Sequence, residues 1–313
     1  MERERYRRMR AVLREVGRDH HDNPRYTHRD STVLLTALWA ALHGKSISWA
    51  TKAKHWPGDL CPRDDGGRLP SQSCMSRRLR LTCGSGADPA ADAADCHDHV
   101  FDLLERWQAA LRRRLPDSDV KLVDGRGLVI GGCSKDRDAR VGYAAGGAKA
   151  RGYKLHWAVD HVSGAVDGWL VAPMNYPEPE AARHLIAHLP PHVRYVLADN
   201  NYDRNDLYER AGREHGVQWL APPRRHAKGL GHGRHSDWRV AVQPWLRTGR
   251  GRRVAARARL TIEQVNGRVG CAAVGLNHLP YHARRLHRVT VWVALKILIL
   301  TDLQAATADP AAA

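Results

Sequence analysis

Three carboxylates are spaced as a metal-assisted reaction would need them. Asp124 lies inside the apolar run at 121–130 (KLVDGRGLVI), Asp199 follows the apolar run RYVLA, and Glu263 sits in a helix-patterned stretch. Breaking and rejoining a phosphodiester requires an activated attacking oxygen and a stabilised leaving oxygen, which two divalent ions about 3.5–4 Å apart provide together. Such hard cations take oxygen ligands, so the site must collect a few Asp or Glu side chains from separate elements. Taken singly, each acid has an ordinary reading: Asp124-Gly125 is a common turn pair, Asp199 a strand-end cap, and Glu263 half of a solvated helix pair with Arg259. Their joint occurrence, each on a suitable element, favours the catalytic reading.

The elements that must position these acids follow from the hydrophobic pattern. Residues 121–130, 153–160 and 165–172 read as strands of an antiparallel meander with a Ser163-Gly164 turn. A helix at 178–189, a strand at 194–198 ending at Asp199, a helix at 203–215 capped by Asp203 and a strand at 217–221 then predict a five-stranded mixed sheet covered by helices. Residues 222–250, rich in Arg, His and Gly without a sustained period, read as a basic insertion. Ala258, Ile262, Val265 and Val269 mark one buried stripe of a following helix, and a last helix is expected at about 282–303. Up to about residue 115 the chain reads as helices separated by polar turns, giving a division into 1–115 and 116–313.

Around the acids the motifs resemble those of bacterial insertion-sequence transposases of the DDE type. Asp124-Gly125 matches that family's first-strand pair, and Gly152-Tyr153-Lys154-Leu155-His156 is similar to its second strand. Asp199-Asn200-Asn201-Tyr202-Asp203 fits its Asp-x-x-Tyr-Asp sequence, and Arg259 four residues before Glu263 reproduces its Arg-Glu pairing. Ala256 and Gly270 stand where some members carry Tyr and Lys. The resemblance implies a ribonuclease H-like catalytic core and metal-dependent DNA cleavage and strand transfer by Asp124, Asp199 and Glu263. Two Mg²⁺ ions, or Mn²⁺, would be the cofactors. Tyr202, beside the scissile strand, Asp203 and Arg259 would be in support, with DNA as partner and a homodimer on paired ends. A metal-dependent nuclease on the same core, or a repurposed DNA-binding protein without catalysis, are the alternatives.

Charge agrees with a polyanionic partner: 50 Lys plus Arg against 33 Asp plus Glu give a formal net charge of +17, as expected of a protein that meets nucleic acid. Candidate DNA contacts are Arg77 and Arg78 in an N-terminal all-α DNA-binding module, Lys154, Arg224 and Arg225 in the insertion, and Arg268. Six cysteines without CxxC spacing do not form a disulfide framework. The Cys96-His97-Asp98-His99 run and His226, His232 and His235 lack the two spaced ligand pairs of a structural zinc site. No leader is read at the charged start of the chain, and the apolar stretch at 289–300 is short for a bilayer and holds Lys296. The expected setting is therefore the bacterial cytoplasm, in association with the nucleoid and without a membrane.

Overall fold

A computed structural model describes residues 1–22, 26–62, 67–80, 99–131, 134–144, 147–223 and 235–308. Arg224, Arg225, Cys96, His97, His226 and His232 lie outside the described residues. The chain forms two compact units. The first comprises Met1–Leu115, Ile130–Ala139 and Val269–Ala313, and the second Pro116–Val129 and Arg140–Arg268.

In the first unit the described elements are helical: α1 (Glu2–Val16), α2 (Asp30–Leu42), α3 (Ile47–Ala50), α4 (Gln72–Arg80), α5 (His99–Arg112) and α10 (Leu286–Ala308). Helix α2 is apolar on nearly every side and buried almost throughout, as a helix without a polar face must be. Tyr6, Trp39 and Trp56 pack edge-on and stacked with centroids 4.8–5.6 Å apart, and the Trp107 indole N–H is satisfied by the Met9 carbonyl at 3.1 Å. The last helix is longer than its apolar core alone predicts. Its 23 residues pass the length and composition test for a membrane span, yet it is mostly buried and packs on α2, α4 and α5, so it is the core helix of this unit. Asp136 and Asp138 accept from the backbone N–H groups of Arg285 and Leu286, capping its start.

Lys296 lies inside that core, its Nζ donating to the Ala41 carbonyl at 2.7 Å and sitting 4.8 Å from the Trp292 ring centroid. Burial pushes its pKa down to about 8. The unfolded chain, with an ordinary lysine, holds its proton to higher pH, so unfolding free energy should rise between pH 8 and 10 by on the order of 3 kcal/mol. Urea unfolding across that range is expected to show the rise in wild type and to lose it in Lys296→Met.

The second unit is built on a six-stranded mixed sheet. Its strands are β1 (Val120–Val129), β2 (Arg140–Tyr143), β3 (Lys149–Asp160), β4 (Val166–Pro173), β5 (Tyr195–Leu197) and β6 (Gln218–Leu220), and its helices α6 (Glu178–Ala187), α7 (Asn205–His215), α8 (Asp237–Arg247) and α9 (Gly249–Gly270). β1 pairs antiparallel with β3, whose other edge pairs with β2 along 149–152 and with β4 along 153–159. On the opposite side β1, β5 and β6 run parallel, connected through α6 and α7 as parallel strands require. Val123, Ala158, Val196, Ala198 and Trp219 face α6 and α7 in one buried cluster.

Several details depart from the sequence expectation. β2 is a sixth strand: it is four residues long and exposed or half-buried, so it carries no apolar alternation to reveal it. The expected irregular insertion at 222–250 contains helix α8. Its buried face is Arg239, Gln243 and Leu246, a stripe at helical spacing whose polarity hides it from a hydrophobic pattern. Asp203 does not cap α7, which starts at Asn205 after Arg204. Instead Asp203 receives Arg239 Nε and Nη2 at 2.8 Å each, and Gln243 as well, so its role is to anchor α8.

Candidate active site

Parallel pairing of β1 with β5 matches Val120 with Tyr195, Lys121 with Val196 and Leu122 with Leu197. Continued by two residues, this register brings Asp124 level with Asp199, on strands spaced about 4.8 Å apart. Alternation then fixes the face. Val123, Val196 and Ala198 point to α6 and α7, so Asp124 and Asp199 share the opposite face. Because β5 ends at Leu197, β1 has no strand neighbour on that side beyond Leu122. A cleft of about 930 Å³ opens there, lined by Asp124, Asp199, Glu178, Lys154 and Arg259 among others.

Each acid of the pair is held by the backbone beside it. Asp124 Oδ1 accepts from the Gly125 N–H at 2.8 Å, and its Oδ2 from Asn266 Nδ2 at 3.0 Å. The Asn266 carbonyl in turn accepts from Arg126, which ties α9 to β1. Asp199 caps the short turn Asn200–Tyr202, Oδ1 accepting from Asn201 N–H at 2.8 Å and Oδ2 from the Asn201 amide at 3.3 Å.

Both carboxyls are raised above the ordinary carboxylate range. For Asp124, burial is the largest cause and the charge of Asp199 adds to it, against the Gly125 N–H, Asn266 and Arg259. For Asp199, burial again leads and Glu178 adds to it, opposed by the Asn201 N–H and Arg259. Crowded, partly desolvated carboxylates gain from a cation among them. The donor set is all oxygen, which suits Mg²⁺ or Mn²⁺.

Glu263 is exposed on α9 and does not line the cleft. Its neighbours on one helix face, Arg259 four residues before and Asn266 three after, both serve the acid pair. Tyr202 differs from expectation. It is 1% exposed and packed in the core, with its carbonyl accepting from Trp219, so its ring has no open face for DNA. Burial, then the charges of Glu178, Asp124 and Asp199, drive its hydroxyl pKa well up, which makes it a neutral neighbour of the acids.

The basic candidates divide. Arg78 is 1% exposed, paired with Asp30, bonded to the His28 carbonyl at 3.0 Å and stacked on Tyr26. That is a structural arginine rather than a DNA-facing one, because the buried Asp30 carboxylate requires a counter-charge. Arg77 and Arg268 are exposed. Lys154 lines the cleft nearly buried, its Nζ 2.6 Å from Glu178 Oε1. Sequence reasoning missed Glu178 and Asn266. Asn266 lies seven residues from Arg259 on the same face and was reachable by helical spacing; Glu178 has no local signal.

Two other acidic groups could be mistaken for metal sites, Asp117 with Asp160 and Asp167, and Asp22 and Asp30 with His20. The first already surrounds the Lys121 ammonium, and the second contains Asp30, the partner of Arg78. A cation of the protein itself serves each.

The family model described as the transposase DDE domain matches residues 116–301. By class the protein is a nucleic-acid-processing enzyme. The chain belongs to the transposase DDE domain family, whose partner is DNA and whose chemistry uses divalent metal ions. No curated relative matches the chain.

Proposed function

We propose that this protein is an insertion-sequence transposase that cuts DNA at the element's ends and joins the freed 3′ ends to target DNA, using Asp124, Asp199 and Glu263. The observation that carries this reading is the level register of Asp124 and Asp199 on neighbouring parallel strands, facing a helix that bears Glu263 between Arg259 and Asn266. A central β1 with an antiparallel meander on one side and parallel strands on the other supports a ribonuclease H-like core.

When bound, two Mg²⁺ ions would lower the pKa of the attacking oxygen and stabilise the leaving one. The two aspartates would hold them, and Glu263 would complete the set. Gly125, Asn201 and Asn266 keep the aspartate oxygens oriented, which limits reorganisation during the reaction. Arg259 supplies a guanidinium for a phosphate oxygen. A water oxygen first attacks phosphorus and the bond to the flanking strand breaks. The liberated 3′ oxygen then attacks a target phosphorus, one phosphodiester replacing another.

Exposed Arg77 on α4 and Arg268 on α9 are candidate phosphate contacts, the former within an N-terminal DNA-binding module. Processing paired ends calls for two copies of the chain. The test is incubation of purified protein with Mg²⁺, a target plasmid and duplexes bearing the inverted repeats that flank its reading frame. Joined molecules carrying the element's 3′ end are expected; cleavage that never yields joined products would reduce the reading to a nuclease.

A further inference from the structure

We propose that Glu178 is a further carboxylate ligand of the metal centre, acting on the Asp199 side of the cleft. This rests on the reading of Asp124 and Asp199 as metal ligands. Glu178 opens α6 and lines the same cleft as the two aspartates and Arg259. Its Oε1 accepts from Lys154; among the described residues its Oε2 has no hydrogen-bond partner.

Two buried polar groups beside it lack partners among the described residues. His156 is fully buried with neither ring nitrogen hydrogen-bonded, and Tyr202, 1% exposed, has an unpaired hydroxyl. Buried polar atoms are nearly always satisfied, so two unpaired buried groups near Glu178 mark a polar environment able to take a further ligand. Gly125 sets these groups side by side: a Cβ there would meet Lys154 Cδ at 3.3 Å, His156 Nδ1 at 3.4 Å and Glu178 Oε1 at 3.5 Å. Lys154 lends its ammonium to Glu178, so the carboxylate is held in the cleft while its other oxygen stays available.

The alternative is that Glu178 serves only as the ion-pair partner of Lys154. Mn²⁺ alone, titrated into the full chain and followed by the electron paramagnetic resonance of the free ion, separates the two. Glu178→Gln keeps an acceptor for Lys154 but loses the charge, and should weaken Mn²⁺ binding about tenfold or more with an unchanged circular dichroism spectrum. Wild-type Mn²⁺ affinity in Glu178→Gln, together with weakened binding in Asp199→Asn, would overturn the role of Glu178 and leave the aspartate reading intact. Undiminished binding in Asp199→Asn would instead remove the underlying reading. Should Glu178→Gln fold poorly, Lys154→Met/Glu178→Gln removes the pair together; the same loss is expected there, and wild-type affinity would overturn the proposal.

Discussion

Asp199→Asn should abolish DNA cleavage, by about a thousandfold or more, because a ligand lost from a two-ion site removes several kcal/mol of transition-state stabilisation. The fold should survive, since an asparagine Oδ1 can still accept the Asn201 N–H that Asp199 accepts now at 2.8 Å. DNA binding should also survive, because the proposed phosphate contacts, exposed Arg77 and Arg268, are unchanged, and it is expected to depend steeply on salt. Stability should move in the opposite direction to activity. Burial and the charge of Glu178 raise the Asp199 carboxyl above its unfolded value, so in the metal-free protein at neutral pH the charged form opposes folding. Neutralising it should leave the melting temperature unchanged or higher. Gel assays of cleavage, filter binding at several salt concentrations and a thermal melt check the three parts; a mutant that cleaves at the wild-type rate would sink the site.

The largest loss of stability is expected at Lys121. Its side chain is fully buried, with Nζ at 2.9 Å from both Asp160 and Asp167, themselves 0% and 4% exposed. In Lys121→Met two buried carboxylates lose their counter-charge, which should cost about 3–5 kcal/mol. Asp160 shows the linkage. Burial would raise its carboxyl, but the Ser163 N–H, Lys121 and Ser118 outweigh that and hold it well below the usual range. A depressed folded pKa gives stability that is present above the unfolded value near 4 and lost as pH falls below it. Wild type should therefore lose stability on acidification from pH 5 to 3, whereas Lys121→Met, weaker at pH 7, should lose less or gain. Urea midpoints at pH 7, 5 and 3 distinguish these outcomes.

The same contrast, charge on the surface against charge inside, explains what was legible in the sequence. Strand and helix order around the acids followed from apolar periodicity, because β1, β3, β4 and the stripe from Ala258 to Val269 bury apolar side chains at regular steps. Asp199 could be singled out because its motif is local. Where burial is polar, the same reasoning failed. Helix α8 hides Arg239 and Gln243 rather than leucines, and Arg78 looked like a surface cation because its partner Asp30 is distant in sequence. Tyr202 carried the motif yet faces the core, since the turn capped by Asp199 places its ring in the buried cluster. Glu178 was invisible for a different reason: it reaches the cleft because α6 packs on β3 and β4 and sets its first residue against Lys154 of β3, a matter of three-dimensional placement.

The central claim is that divalent ions bind at Asp124 and Asp199, and replacing Mg²⁺ by Fe²⁺ tests it most directly. With ascorbate and peroxide, bound Fe²⁺ generates hydroxyl radicals that cut the polypeptide near the ion. The prediction is cuts around residues 124 and 199, with a further one near Glu263, all suppressed by excess Mg²⁺ and lost in Asp199→Asn. Cuts confined to the neighbourhood of Asp117, Asp160 and Asp167, or of Asp22 and Asp30, would contradict it.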